Sequence, residues 1–445
     1  MLVDMPERDR PAGQRYAWYV VAVLTLANVS GFVDRQILSL LVRPIQRDFG
    51  ITDTQMSYLL GLSFAVFYSV LGIPIARWAD RSSRKVIIGG GVALWSVFTT
   101  LCATASTFGR LFVMRLGVGV GEATLQAPGV SLIADCFPRE RLSRAMSVYS
   151  LGIFVGSGLA YLIGGWVVGF AGAEGTVNLP LIGPVHPWQT VFIAVGLPGL
   201  MIAALILGLR EPARRKGTGA SEQPSFRDFL RYVAANKTTY ATHGIGFAIS
   251  GAVNFALAGW IPTLLVRAFG WNEGRAGIVQ GSLTITIGVV GVLVGGRIAD
   301  RYVARGKIDG PMRVGIIGAV GMLISATAFP LMPTATLAVL WLAVVNFFAA
   351  FPWGAASAAS AEMAPLRLRA QGVALFFLLL NLISQTLGPL SVGLFNDNIF
   401  GRGAGVRYSI AIVAAVGTLS TIALLSAGLA AYRETVANRD QWMAR

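Results

Sequence analysis

The stretch Ala76-Arg77-Trp78-Ala79-Asp80-Arg81-Ser82-Ser83-Arg84-Lys85 is answered further along by Gly296-Arg297-Ile298-Ala299-Asp300-Arg301. Both contain Arg-x-Ala-Asp-Arg, 220 residues apart. A second echo pairs Ala134-Asp135-Cys136-Phe137-Pro138, followed by Arg139, Arg141 and Arg144, with Ala361-Glu362-Met363-Ala364-Pro365, followed by Arg367 and Arg369. That pair is 227 residues apart. Two separate echoes at nearly one offset point to a chain made of two related halves, and each echo sits at the end of a long apolar run.

The apolar runs define the class. Reading for stretches of about 20 residues gives twelve: 16–42, 54–76, 86–106, 109–136, 143–169, 188–209, 241–268, 276–299, 313–332, 336–361, 370–396 and 407–432. A chain of 445 residues that is 55% hydrophobic and 13% charged does not have the composition of a soluble enzyme. The net charge of +15 would fit a nucleic-acid partner, but its placement does not. With the N-terminus inside and residues at the span ends counted with the adjoining segments, 27 of the 36 Lys and Arg residues fall in inside segments, 7 in outside segments and two, Arg35 and Arg115, deep within spans. That asymmetry is the positive-inside pattern, and the basic residues then face anionic headgroups. The sequence therefore predicts an all-α protein of the inner (plasma) membrane with twelve transmembrane helices and both termini cytoplasmic. The polar, mixed-charge first 15 residues do not read as a cleaved signal peptide.

One long polar interruption divides the chain six spans from six. It places an N-terminal bundle at 1–210, a cytoplasmic linker at 211–240 and a C-terminal bundle with a short tail at 241–445. The linker begins Arg210-Glu211-Pro212, passes Arg214-Arg215-Lys216 and ends in the amphipathic Ser225-Phe226-Arg227-Asp228-Phe229-Leu230. Cys102 and Cys136 have no metal-ligand spacing around them. His186 and His243 form no triad with any motif serine, and no nucleotide-binding motif is present. The expectation is a non-enzyme with no cofactor and no metal, driven by an ion or substrate gradient.

Asp34 and Arg35 in the first span, and Arg115 and Glu122 in the fourth, are charges at bilayer depth, which are costly unless paired or used. Residues seven apart share one helix face, so Arg115 and Glu122 are separated by about 10 Å along one side of their helix. Measured from the outer ends of their spans, Arg115 lies about 9 Å down, Glu122 about 20 Å and Asp34 about 12 Å. One four-membered network is geometrically reasonable. Desolvation and a neighbouring arginine act in opposite senses on a carboxylate's hold on a proton, which makes Asp34 and Glu122 the proton-coupling candidates. Arg35 and Arg115 suit an anionic group of substrate or protein. A static ion-pair cluster is the alternative. The C-terminal half carries no comparable charge. It offers Asn254, Phe255, Phe347, Phe351 and Asn381 as possible cavity lining. A charged wall opposite an aromatic one suits an amphiphile with a charged head.

Twelve spans in two halves, with Asp-Arg-x-x-Arg-Lys after the second, resemble the major facilitator superfamily. Its signature loop normally begins with Gly, where this chain has Ala76; the second copy keeps Gly296. Phe32-Val33-Asp34-Arg35 and Arg115-Leu116-Gly117-Val118-Gly119-Val120-Gly121-Glu122 resemble the Spinster family of lysolipid and sphingolipid transporters. The resemblance implies a proton-coupled secondary transporter of a lysolipid-like amphiphile working by alternating access, acting as a monomer among membrane lipids and without nucleic acid. A carrier of small organic anions or drugs is the alternative. It further implies a cytoplasmic gate of Asp80, Arg81, Arg84, Asp135, Asp300, Arg301 and Glu362, in which Arg81, Arg84 or Lys85 reaches Asp135, and Arg297 or Arg301 reaches Glu362.

Overall fold

The computed structural model describes residues 13–171, 176–179, 183–212 and 225–444. Eleven helices among them are long and apolar enough to cross a membrane. The described chain is almost entirely helical. Its first half runs α1 (Gln14–Ile37), α2 (Val42–Phe49), α3 (Asp53–Ser57), α4 (Ser63–Arg81), α5 (Arg84–Cys102), α6 (Phe108–Glu122), α7 (Gln126–Cys136), α8 (Arg139–Ala171) and α9 (Pro187–Leu207). A two-stranded hairpin, β1 (Val177–Leu179) and β2 (Gly183–Val185), lies between α8 and α9. The rest runs α10 (Phe226–Ala235), α11 (Lys237–Phe269), α12 (Glu273–Leu283), α13 (Val289–Ala304), α14 (Gly310–Ala328), α15 (Ala335–Ala350), α16 (Trp353–Glu362), α17 (Arg369–Phe395) and α18 (Val406–Asn438).

The fourth expected span, 109–136, departs from a single long helix. It is two helices, α6 and α7, separated by a turn at residues 123–125. Pro128 sits in the first turn of α7, where its ring would clash with the carbonyl four residues back if the helix ran on without a break. Glu122 is therefore the last residue of α6. The tenth span is built alike, with a break between α15 and α16 at Phe351 and Pro352. Thr107 and Thr334, 227 residues apart, cap α6 and α15 by accepting the backbone N–H groups of Arg110 and Leu337. Gly50 and Gly270, 220 residues apart, both end helices with positive φ, 64° and 68°. These offsets are those of the two sequence echoes.

Contacts divide the chain into two compact units. One comprises Met1–Ile51, Leu62–Thr218 and Asn272–Gly281; the other comprises Thr52–Gly61, Gly219–Trp271 and Ser282–Arg445. The division does not fall only at the linker, because each unit takes in a short helical segment from the other half of the sequence. In the first unit α1 packs on α8, and α5 on α6 and α9. Its core gathers Val20, Leu24, Ile88, Trp95, Ile133, Phe137 and Tyr149. α6 approaches α5 closely because Gly121 has no side chain: a Cβ there would stand 2.7 Å from the Gly91 carbonyl oxygen. This fixes the end of α6, and with it Glu122. In the second unit α11 packs on α17 and α18.

The amphipathic segment is α10, and the seventh span starts at Lys237, a helical turn before the expected 241. Arg214, Arg215 and Lys216 lie outside the described residues.

Candidate functional site

Asp34, Arg35, Arg115 and Glu122 all lie in the first unit and come together as two ion pairs rather than one network. Arg115 Nη1 donates to Asp34 Oδ1 at 2.7 Å. Arg35 Nε donates to Glu122 Oε2 at 2.6 Å. Asp34 and Arg35 are consecutive, so on a helix their side chains point about 100° apart. One faces Arg115 and the other reaches Glu122. Asp34, Arg115 and Glu122 are each at most 2% exposed. Ion pairs so buried gain Coulombic attraction but lose hydration, and leaving one partner alone is strongly destabilising.

The surroundings complete part of each pair. Thr99 Oγ1 donates to Asp34 Oδ2. The Arg35 guanidinium lies over the rings of Phe32, Phe64 and Tyr68, at 4.8, 4.1 and 4.7 Å from their centroids. Aromatic faces stabilise a poorly hydrated guanidinium, so Arg35 is held by three rings and one carboxylate oxygen. Two buried atoms are left over: Glu122 Oε1 and Arg115 Nε have no hydrogen-bond partner. Buried polar atoms are normally satisfied, and here the orphans sit on one acid and one base of the same site. Such a site can take up a proton at Glu122 or a further polar group from a ligand. Thr99, Phe64 and Tyr68 were not singled out in the sequence. Phe64 and Tyr68 are one helical turn apart and stacked at 5.0 Å, a spacing equally common in lipid-facing aromatics.

The gate candidates are placed separately. Arg84 is buried and donates to Asp135, to Ser131 Oγ at 3.0 Å and to Glu211 Oε1 at 3.0 Å. Glu211, at the head of the linker, also accepts from Ser83 Oγ and from the Arg84 backbone N–H. Burial alone would raise the Glu211 carboxyl, but these hydrogen bonds and the Arg84 charge outweigh it and hold the group below its usual value. The expected Arg84–Asp135 link is thus present and shared with Glu211, which the sequence reading did not single out. Arg81, Asp300, Arg297 and Arg301 are exposed, and the side chain of Asp80 lies outside the described residues. Glu362 accepts from Tyr432 at 3.1 Å, with Arg439 on its backbone carbonyl, rather than from Arg297 or Arg301. The α18 helix is thus what reaches it.

In the second unit, Asn254 lines a small cavity with Phe247, Trp353 and Phe376. Phe255 is half-buried nearby in sequence. Phe347 and Phe351 pack instead into a core cluster with Ala299, Val314 and Ala355. Asn381 bonds within its own helix, to the Phe377 carbonyl and Gln385. A further charged cluster went unread in the sequence. Asp53, fully buried, takes a two-pronged contact from Arg267 at 2.7 and 2.8 Å and a bond from Asn396 at 2.9 Å. The only sequence sign of it is an acidic residue in the capping stretch Thr52-Asp53-Thr54-Gln55.

Comparison with known proteins bears on the whole chain. An efflux pump of the same superfamily from Mycolicibacterium smegmatis is 28% identical and aligns over 94% of both chains. Protein spinster of Drosophila melanogaster is 27% identical over 72% of this chain, and human spinster homolog 1 is 29% identical over 69%. The chain spans 51% and 58% of the length of those two relatives. A solved bacterial homologue of the human lysosomal transporter Spinster, inward-facing and unoccupied, superposes with a TM-score of 0.80 at 26% identity, covering 97% of this chain and 99% of that one. The family model of the Major Facilitator Superfamily matches residues 24–389. With that match spanning most of the chain, the protein belongs to the major facilitator superfamily as a transporter that resembles Spinster.

Proposed function

We propose that this protein is a proton-coupled secondary transporter that moves an amphiphile with an anionic head, of lysolipid or sphingolipid kind, across the inner membrane. The observation that carries the reading is the Glu122 carboxylate, with one oxygen on Arg35 and the other buried without a partner. A carboxyl so placed can exchange a proton without dismantling its surroundings. Asp34 is its second proton site, and Arg35 and Arg115 hold the anionic head. Asn254 and Phe255 belong to the wall that meets the apolar body.

Two six-helix bundles, joined by the linker with both termini cytoplasmic, form the monomeric working unit in this reading. The matched caps and helix breaks at offsets of 220 and 227 support the duplication. Asp80, Arg81, Asp300 and Arg301, together with the Arg84–Asp135–Glu211 cluster and Glu362, act as the cytoplasmic gate. Neutralising Asp80 or Asp300 raises the accessibility of cavity cysteines from that side; unchanged accessibility in both variants would leave them as turn residues.

A second reading, export of small organic anions or drugs, is favoured by one observation: the efflux pump of M. smegmatis aligns over nearly the full length of both chains. Uptake by reconstituted proteoliposomes, with a lysophospholipid and an organic anion offered in parallel under a proton gradient, separates the two. Gradient-driven movement of the lysophospholipid supports the first reading; movement of the organic anion alone supports the second.

A further inference from the structure

α10 presents three faces in ten residues. Ser225 caps it with Asp228 in a reciprocal box. Phe229 and Tyr232 are buried, and Tyr232 donates its hydroxyl to the Met363 carbonyl at 2.6 Å while stacking edge-on with Trp442. This face fastens the helix to the second unit. Next round the helix come Phe226 and Leu230, 59% and 49% exposed, with half-buried Val233 in the same i, i+4, i+7 row. Beyond them come exposed Arg227 and Arg231, again one turn apart. Asp228 pairs loosely with Arg231 at 3.5 Å and is the one acid among Arg227, Arg231 and exposed Lys237.

A protein face, an apolar edge and a basic edge, in that order, are what a helix lying in the headgroup layer needs. The apolar edge enters the acyl boundary, and guanidinium forks replace the hydration of lipid phosphates. Leu366, 76% exposed, and exposed Arg367 repeat the combination three and four residues beyond Met363. We propose that α10 is an interfacial helix that binds anionic phospholipid of the bilayer through Arg227 and Arg231. Through Tyr232 and the Met363 carbonyl, it thereby steadies the end of α16 at Glu362. The inference requires only that the chain spans a membrane, not the substrate or proton coupling proposed above.

The test uses the full-length protein in nanodiscs of phosphatidylcholine alone or with one quarter phosphatidylglycerol. Hydrogen exchange of residues 226–235 should slow by roughly 25-fold with the anionic lipid, since each of the two basic residues near the surface contributes about fivefold. Arg227→Gln with Arg231→Gln should abolish that slowing, whereas the double Lys variant should keep most of it. A nitroxide at position 226 should be more accessible to oxygen than to a nickel chelate, and one at position 235 the reverse. Equal exchange in both lipids, protection retained in the double Gln variant, or equal chelate access at 226 and 235 would each overturn the proposal.

Discussion

Glu122 meets Arg35 through one carboxylate oxygen only, at 2.6 Å, while its second oxygen is buried without a partner. Arg35 for its part lies over the rings of Phe32, Phe64 and Tyr68. The acid therefore keeps one oxygen that no protein donor meets. Glu122→Gln keeps the shape and one acceptor oxygen but removes the proton site. In this variant, and in Asp34→Asn, spin-label distances between the two units should lose their dependence on pH between 5 and 9, with the fold unchanged. If both variants respond as the parent does, coupling lies elsewhere.

Truncating Asp34 should act on stability more than Asp34→Asn does. Asp34→Ala leaves Arg115 buried with no counter-charge and also strands the Thr99 hydroxyl. The cost is about 3–5 kcal/mol, read as a fall in the midpoint of thermal unfolding in detergent. Asn keeps an acceptor for Arg115, so its loss should be clearly smaller. Equal losses would mean that the charge, not the hydrogen bond, sets the cost.

Arg115 separates headgroup binding from helix packing. Arg115→Lys keeps the charge and loses the planar fork, and Arg115→Ala loses both. Affinity for an anionic lysolipid should fall in the order parent, Lys, Ala, while a neutral analogue with the same acyl chain changes much less. Equal losses for both lipids would assign Arg115 to the Asp34 pair alone.

Glu211 makes a separate pH prediction. Its carboxyl is held below the ordinary 4.5 in the folded protein, so its stabilisation is fully present above that value and is lost only as pH falls through the lower folded value. Glu211→Gln should thus lower stability by a constant amount from pH 5 to 9, no more than about 1 kcal/mol at this partly solvated site. The difference from the parent should shrink in acid below pH 4. A difference that varies between pH 6 and 8 would contradict the assignment.

The sequence carried much of this architecture, and the reasons for what it did not carry are physical. Seven-residue spacing placed Arg115 and Glu122 on one face, as found, but depth alone could not say which residue of span one each would meet. That depends on the angle between the consecutive Asp34 and Arg35. Phe64 and Tyr68 were illegible because an aromatic pair one turn apart looks the same whether it meets lipid or a guanidinium. The Arg84–Asp135 contact was foreseen from the span-end motifs, whereas Glu211 was not, because a carboxylate at the head of a polar linker carries no periodic signal. Phe347 and Phe351 read as lining and turned out to be packing. Gly291 and Gly295 bring α13 so near that a Cβ at either would lie about 2 Å from the Phe347 or Phe351 carbonyl oxygen. The break after Glu122 follows from Pro128, once its distance from the acid is noticed.

Proton flux into proteoliposomes, recorded with and without an anionic lysolipid, tests the central claim most directly. The account predicts that adding the lysolipid to the parent protein starts a proton flux, and that an imposed proton gradient moves the lysolipid. It also predicts that Glu122→Gln loses both movements while still binding the lipid. Lysolipid movement that proceeds equally with and without a proton gradient, and equally in parent and Glu122→Gln, would contradict it.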